Sequence, residues 1–400
     1  RARHTGAERR MARLLAAGPG EFPLHRAVQA VLSESRASMG KWAARAREAD
    51  PFLRYLIPAD TVGSNRVREA LGPDRALLLP VPAGNVYELF LLGPGPLACE
   101  VSPVNRTRLI QAAREFSALL AGGSADTARL GDPLRARRLE ELGRELWSAL
   151  LRPVEKHYAG MRALVVVLPR ELAGLPLHAL RRGGAGSRFP AEQILVTYAP
   201  SVLSLGGPVG TVAPVRELTG AGHAGGTAWD VEYELRDIRA FYRDARLLFT
   251  RDATLEALQG GGGDLLHLAA LLLPGGRDPA NARIRLGAPN ASSCEDVSWG
   301  ELRSIRPRAT VVVSPLGPVE RPEAQGVLAE VFLTNGSREV VMMTFPPARR
   351  SKKYFGEVFY TELLSGADVR TAYRRVQTEM IGRREYAALP LWAPYMLWTR

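Results

Sequence analysis

The sequence predicts an α/β fold: a mostly parallel central sheet flanked by helices, preceded by a helical N-terminal segment and a small β-hairpin or meander. Two observations carry this. Past about residue 145 the chain alternates short, unbroken apolar runs with amphipathic helical stretches, and unbroken apolar runs mean strands covered on both faces. Before that point, two β-rich runs flank a turn signal, and the first fifty residues are dense in Ala, Leu, Arg and Glu. At 400 residues and 46% hydrophobic, the chain is long enough for more than one structural unit and a large core.

Taken in order, Ala7 to Ala17 and Leu24 to Ala49 read as helices separated by Gly18-Pro19-Gly20, a helix-hairpin connection. Ala76 to Val81 and Val86 to Leu92 flank Pro-Ala-Gly-Asn as a hairpin, and Leu97 to Val101 extends it into a meander. Asn105 to Leu120 and Leu134 to Leu151 return to helical spacing, the second stopped by Pro153. The strand runs that follow are Ala163 to Leu168, Gln193 to Tyr198, Ala245 to Phe249, Asp264 to Leu272, Ala309 to Val313 and Glu339 to Thr344. Helices are predicted over Asp230 to Arg243, Ala324 to Asn335, Lys353 to Ser365 and Val369 to Gly382. The Gly- and Arg-rich stretches at 181–188, 206–227 and 260–263 read as exposed loops. These elements divide the chain into a helical segment at 1–60, a meander plus helix at 70–140 and the main α/β domain at 141–400.

Composition narrows the function classes. Lys and Arg number 53 against 41 Asp and Glu, a net charge of +12, and only Lys41, Lys156, Lys352 and Lys353 are lysines. The excess is therefore arginine, the side chain suited to bidentate carboxylate or phosphate pairing. Two cysteines, Cys99 and Cys294, are too few for a disulfide framework or a Cys-based metal site. The isolated histidines His25, His157, His178 and His223 have no ligand spacing, and the Gly260–Gly263 run lacks the Lys-Ser/Thr of a phosphate loop. No cofactor and no metal are expected. The chain contains no stretch of 18 apolar residues and no signal-peptide core, so a cytoplasmic protein without a membrane partner is expected; opening on Arg1, it reads as a piece of a longer protein. Arginine is spread over nearly every helix without aromatic interleaving, so no nucleic-acid partner is expected.

Several segments together carry a family resemblance. Leu146-Trp147-Ser148-Ala149-Leu150-Leu151-Arg152-Pro153-Val154 precedes the strand-and-turn run from Val165 to Leu180, which contains Gly174-Leu175-Pro176-Leu177-His178-Ala179-Leu180. Then come Tyr198-Ala199-Pro200-Ser201, Glu234 at a helix, Gly326-Val327-Leu328-Ala329-Glu330-Val331-Phe332-Leu333-Thr334-Asn335-Gly336, and Pro390-Leu391-Trp392-Ala393-Pro394-Tyr395. In this order and spacing they resemble the CHAT domains, caspase-like peptidase domains related to separase. The likeness covers about residues 140 to 400, and the hairpin from Ala76 fits what precedes the domain in relatives.

The resemblance implies a caspase-like fold and a cysteine–histidine dyad carried at the C-terminal ends of neighbouring strands. Active members have a His-Leu-Ala-Thr-His-Gly strand end, whose second histidine acts. Here the strand reads His267-Leu268-Ala269-Ala270-Leu271-Leu272, so His267 matches the structural histidine and Leu271 takes the catalytic position. The nucleophile belongs to Ser-Ala-Cys-acidic-Thr-Gly, but this chain has Ser314-Pro315-Leu316-Gly317, with Leu316 at the nucleophile position. With both positions leucine, peptide hydrolysis is not expected.

His267 stands four strand residues, about 13 Å, from the old base position, and Ser314 about 7 Å short of the nucleophile position. Both read as structural. Cys294, in Ser292-Ser293-Cys294-Glu295-Asp296, mimics the nucleophile string but is expected in a different loop. The competing reading is a cysteine peptidase with a displaced dyad of His267 and Cys294. Arg349, Arg350, Lys352 and Lys353 follow Pro346-Pro347 and are expected on a loop at the rim where relatives recognise substrate. The reading of the chain is thus a degenerate CHAT-domain pseudopeptidase with protein partners, a scaffold or regulatory module in a bacterial complex.

Overall fold

The computed structural model describes residues 64–124, 132–183, 188–206, 215–223, 228–242, 244–260, 263–273, 281–287, 294–305, 310–315 and 322–400. They all belong to one compact unit, Val62–Arg400. The two helices expected before residue 50, and Leu316, lie outside the described residues.

Helix α1 (Ser64–Leu71) leads into the meander β1 (Arg75–Ala83), β2 (Val86–Leu92) and β3 (Ala98–Val101). Helices α2 (Arg106–Ser124) and α3 (Pro133–Leu150) follow. Pro133 opens α3 where its missing N–H costs nothing, and the Asp132 carboxylate accepts from the Leu134 and Arg135 amides. The pair is tied by bidentate contacts: Arg108 to Glu145 at 2.6 Å through both nitrogens, and Arg138 to Glu115 at 2.6 and 2.8 Å.

The central sheet then builds through β4 (Ala163–Val166), β5 (Leu195–Tyr198), β6 (Leu218–His223), helix α4 (Ala228–Phe241), β7 (Arg246–Phe249), helix α5 (Leu255–Gly260) and β8 (Leu265–Leu273). A hairpin of β9 (Arg283–Gly287) and β10 (Cys294–Ser298) comes next, then β11 (Thr310–Pro315), helix α6 (Pro322–Thr334) and β12 (Glu339–Met343). Helices α7 (Arg349–Leu364) and α8 (Val369–Gly382) and strand β13 (Tyr395–Thr399) close the chain.

These form one thirteen-stranded sheet in the order β10-β9-β8-β11-β12-β13-β5-β4-β1-β2-β3, with β6 beside β8 and β7 beside β6. The meander continues the same sheet, since β1 runs parallel to β4 with Leu77 opposite Val165. Strands β7, β6, β8, β11 and β12 are mutually parallel, and so are β1, β4, β5 and β13; β13 is antiparallel to β12, so the two parallel sets run in opposite directions. Of the runs expected to be covered on both faces, Ala163–Val166, Leu195–Tyr198 and Thr310–Pro315 are buried throughout, whereas β7 is mostly not, because it lies outermost, paired with β6 alone.

Three stretches differ from expectation. Strand β6 lies inside the span 206–227 expected to be loop. Its sequence, Leu-Thr-Gly-Ala-Gly-His, is glycine-rich because α4 packs directly on it. A Cβ on Gly220 would meet Leu247 at 2.8 Å, and one on Gly222 would meet Val231 at 2.3 Å and the Ala269 carbonyl at 2.8 Å. The glycines that signal a loop in sequence are here the condition for a close helix-on-strand contact. The β9–β10 hairpin and β13 were likewise not read as strands. Alternating Arg283, Ile284, Arg285, Leu286 gives a one-sided strand at the sheet's margin, while β13 is hidden in the Trp-rich C-terminus.

The core is one large cluster spanning both sets of strands and the helices, with a smaller one under α1 built from Val67, Leu71, Leu77, Leu92 and Val165. His178, fully buried, takes part: its Nδ1 lies 2.9 Å from the Tyr198 hydroxyl, and its ring packs on Trp392. Burial lowers its pKa to about 3, so it is a neutral core residue at any ordinary pH.

Gly222→Val is expected to destabilise the chain by about 2 kcal/mol or more, since overpacking against a fixed carbonyl has no relaxed rotamer. Chemical denaturation of the variant beside Ser298→Ala, a surface cap change costing about 1 kcal/mol, would measure it.

Candidate functional site

In parallel sheets, side chains that do chemistry gather where strands end and loops begin. Here that edge is formed by the C-terminal ends of β6, β8, β11 and β12. The register sets its layout: His267 lies beside Gly220 and Val312, Ala269 beside Gly222 and Ser314, and Ala270 beside His223 and Pro315.

Beneath the edge is a buried polar network. The His267 Nε2 lies 3.1 Å from Glu234 Oε1, and its Nδ1 lies 2.6 Å from the Tyr360 hydroxyl. A carboxylate only accepts, so Nε2 carries the proton, and Nδ1 accepts from the tyrosine O–H. The other Glu234 oxygen accepts from Lys352 Nζ at 3.1 Å. His267 is 3% exposed, Glu234 10% and Lys352 13%. Burial by itself pushes the Glu234 carboxyl up, but the Lys352 charge, the His267 hydrogen bond and the nearby Ser314 hydroxyl outweigh it and bring it down to about 2. Ser314 is buried with its Oγ short of full hydrogen-bond geometry to any described residue. Desolvation, with Glu234 next in size, keeps the Tyr360 phenol protonated far above its ordinary range.

Both nitrogens of His267 are thus occupied, and neither points at the strand ends. Leu271 lies where β8 leaves its parallel partners and pairs antiparallel with β9, opposite Arg285. Arg285 is held bidentate by Asp296 at 2.7 and 3.1 Å. A leucine here does a strand's work without offering a proton.

The two cysteines stand at opposite ends of the sheet order. Cys99 is exposed on β3, and Cys294 is exposed on β10. Cys294 therefore belongs to a strand rather than the expected loop. The alternation of Cys294, Asp296 and Ser298 against Gly287, Arg285 and Arg283 makes it one side of a hairpin ladder. Strand β10 lies two strand spacings, about 10 Å, from β8. The depression beside Cys294 is lined by Thr254, Leu255, Glu256, Gln259, Glu295 and Asp296, without an imidazole. His267 and Cys294 are not brought together.

The basic run also differs from its expected setting. Arg349, Arg350, Lys352 and Lys353 form the first turn of α7 rather than a loop, because Ser351, Tyr354 and Phe355 already follow helical spacing into the core. Lys352 turns inward to Glu234. Arg349 lies 4.0 Å over the Tyr233 ring of α4, and Arg350 and Lys353 are exposed. Three of the four cations thus face outward beside the strand ends.

In sequence His223 reads as isolated. It ends β6 next to Ala270, at the same edge as Leu271, and its buried Nδ1 has no hydrogen-bond partner among the described residues. Burial first, and then Arg285, lower its pKa. The available signal was the small-residue strand Leu-Thr-Gly-Ala-Gly that carries it to the edge.

The sequence profile of the CHAT domain family matches residues 140–399. No curated protein sequence matches the chain significantly. Among solved structures, separase in the Saccharomyces cerevisiae separase–securin complex aligns with a TM-score of 0.52 at 8% identity, over 84% of this chain and 30% of that one. A second crystal structure of the same complex gives 0.47 at 9% identity, over 84% and 31%. The likeness to separase is one of fold, and this chain spans under a third of that chain's length.

Glu234→Gln leaves the ammonium of Lys352 buried without its counter-charge, and a loss of about 3 kcal/mol is expected in urea unfolding at neutral pH. The pH dependence has a definite sign. The Glu234 carboxyl is held below its ordinary 4.5, so its contribution is complete above that pH and is lost as pH falls from 4.5 toward 2. The wild type should lose stability over this interval more steeply than Glu234→Gln, as acid-titrated unfolding midpoints would record.

Proposed function

The chain belongs to the CHAT domain family, and from that premise we propose that it is a pseudopeptidase, keeping the peptidase-related fold while serving as a protein-interaction, scaffold or regulatory module in a bacterial cytoplasmic complex. The observation that carries this reading is positional. A caspase-like dyad needs a thiol and an imidazole within hydrogen-bond reach at the ends of neighbouring strands. Here Leu271 holds the base position and Leu316 the nucleophile position, while the two cysteines lie on the outermost strands.

Among the described residues, no cysteine stands beside an imidazole at this edge, where His223 ends β6. His267 is committed to Glu234 and Tyr360, and Ser314 is buried beneath the edge. What the edge does present is a basic rim. Arg349, Arg350 and Lys353 face outward at the start of α7, where the helix N-terminus adds to their positive potential. A rim of this sign favours an acidic segment of a partner protein, recognised and retained without being cut. Lys352 supports the rim from below through Glu234.

Incubation of the chain with a diverse peptide library, read by mass spectrometry, should give no cleavage above buffer. A thiol-reactive peptidyl probe should not label Cys294 in a way that depends on His267. Probe labelling of Cys294 that disappears in His267→Ala would overturn the proposal and establish the displaced dyad. Charge reversal at Arg349, Arg350 and Lys353 together should weaken partner retention tenfold or more, about 1.4 kcal/mol, without changing the unfolding midpoint.

A further inference from the structure

Strand β3 ends the sheet, and among the described residues no strand pairs with its outer edge. The register opposes Ser102 to Tyr87, and the Ser102 amide donates to the Tyr87 carbonyl at 2.9 Å. Hydrogen-bonded and non-hydrogen-bonded pairs alternate along an antiparallel ladder, so Glu100 and Ala98 also bond to β2. The backbone groups of Leu97, Cys99 and Val101 therefore point away from the sheet. No described residue bonds to the N–H or C=O of these three.

The same three side chains form an apolar stripe of period two. Leu97 is 52% exposed and Val101 56%, with Cys99 exposed between them. Only five large apolar side chains are exposed among the described residues, and two of them are on this short edge. An open ladder beside an apolar stripe is a template for a further strand. On the other face Glu100 is neutralised locally, 3.0 Å from Lys156 Nζ and 3.0 Å from His157 Nε2.

We propose that this edge pairs with the same edge of a second copy, in an antiparallel two-fold that joins two sheets into one. Charge and side-chain coverage select the register. A two-fold through Glu100 opposes two carboxylates, which is unfavourable. One through Ala98 sets Val101 against Gly95, which offers no side chain. A two-fold through Cys99 pairs Leu97 with Val101 of the other copy, Ala98 with Glu100, and Cys99 with Cys99, so the apolar stripes coincide and no like charges are directly opposed. The strand is short, and such a ladder alone falls below the roughly 1,000 Å² of a stable interface, so the association is weak and concentration-dependent. It lies at the far end of the sheet from the strand-end edge and is independent of the pseudopeptidase reading.

Sedimentation equilibrium of the full chain at rising concentration tests this. A monomer–dimer equilibrium is expected, and Val101→Lys should weaken it about tenfold or more. A lysine at so exposed a position leaves the fold intact, which circular dichroism would verify. In the selected register the two Cys99 Cα atoms come about 5.5 Å apart, within disulfide reach. Diamide should therefore link them: the two thiols lose two protons and two electrons as the S–S bond forms, and diamide takes them up as its hydrazine. Peptide mapping should find Cys99–Cys99, retained in Cys294→Ser and lost in Val101→Lys. Three outcomes would overturn the proposal: a dimer indifferent to Val101→Lys; a monomer at every concentration with Cys99 freely alkylated, which leaves the edge to a different protein; or a monomer with Cys99 protected, which assigns the edge to the chain's own residues.

Discussion

A carboxylate removed from water must be surrounded by donors, and in this domain the Glu234 carboxylate sets which elements stand next to one another. Its two oxygens take His267 from β8 and Lys352 from α7, while Tyr360, one helix face further along α7, closes the other side of the imidazole. Three elements distant in sequence, α4, β8 and α7, are thereby held to one geometry. A buried ionic group of this kind adds little net stability, because its desolvation offsets its attraction, but it penalises every arrangement that leaves one member unpaired. The glycines of β6 serve the same end, since a side chain at Gly220 or Gly222 would meet Leu235 or Val231 of α4 and push back the helix that brings Glu234 to His267.

This network lies within the frame of a peptidase-related fold. The polar groups His267, Glu234 and Tyr360 lie one layer below the strand ends. Leu271 at its strand end keeps the ladder, paired with Arg285 of β9. Above this frame the start of α7 presents a charged edge.

The arginine excess has a similarly divided use. Much of it is spent on bidentate links between helices, as in Arg108 with Glu145 and Arg138 with Glu115, where the planar guanidinium fits a carboxylate as lysine cannot. At the start of α7 the cations oppose the helix dipole. Stacking of Arg349 on Tyr233 and pairing of Lys352 with Glu234 offset that cost for two of them. Arg350 and Lys353 remain exposed beside the strand ends.

Strands buried on both faces announce themselves as unbroken apolar runs, so β4, β8, β11 and β12 were legible from local pattern, as were helices α2, α3, α7 and α8 and the leucine at residue 271. The register was not, because it depends on partners far apart in the chain. Glycine-rich β6 and charged β9 resemble loops until their neighbours are known, and with them went His223 and the strand setting of Cys294. The basic run illustrates the same division. Its charge was written in four adjacent letters, but helical periodicity turned Lys352 inward and its neighbours outward, and only the packing of α7 against α4 decided which of them faces solvent. Residue identity determined which side chains the strand ends carry; tertiary packing decided where the polar groups stand, because burial and pairing are properties of neighbours that sequence proximity does not supply.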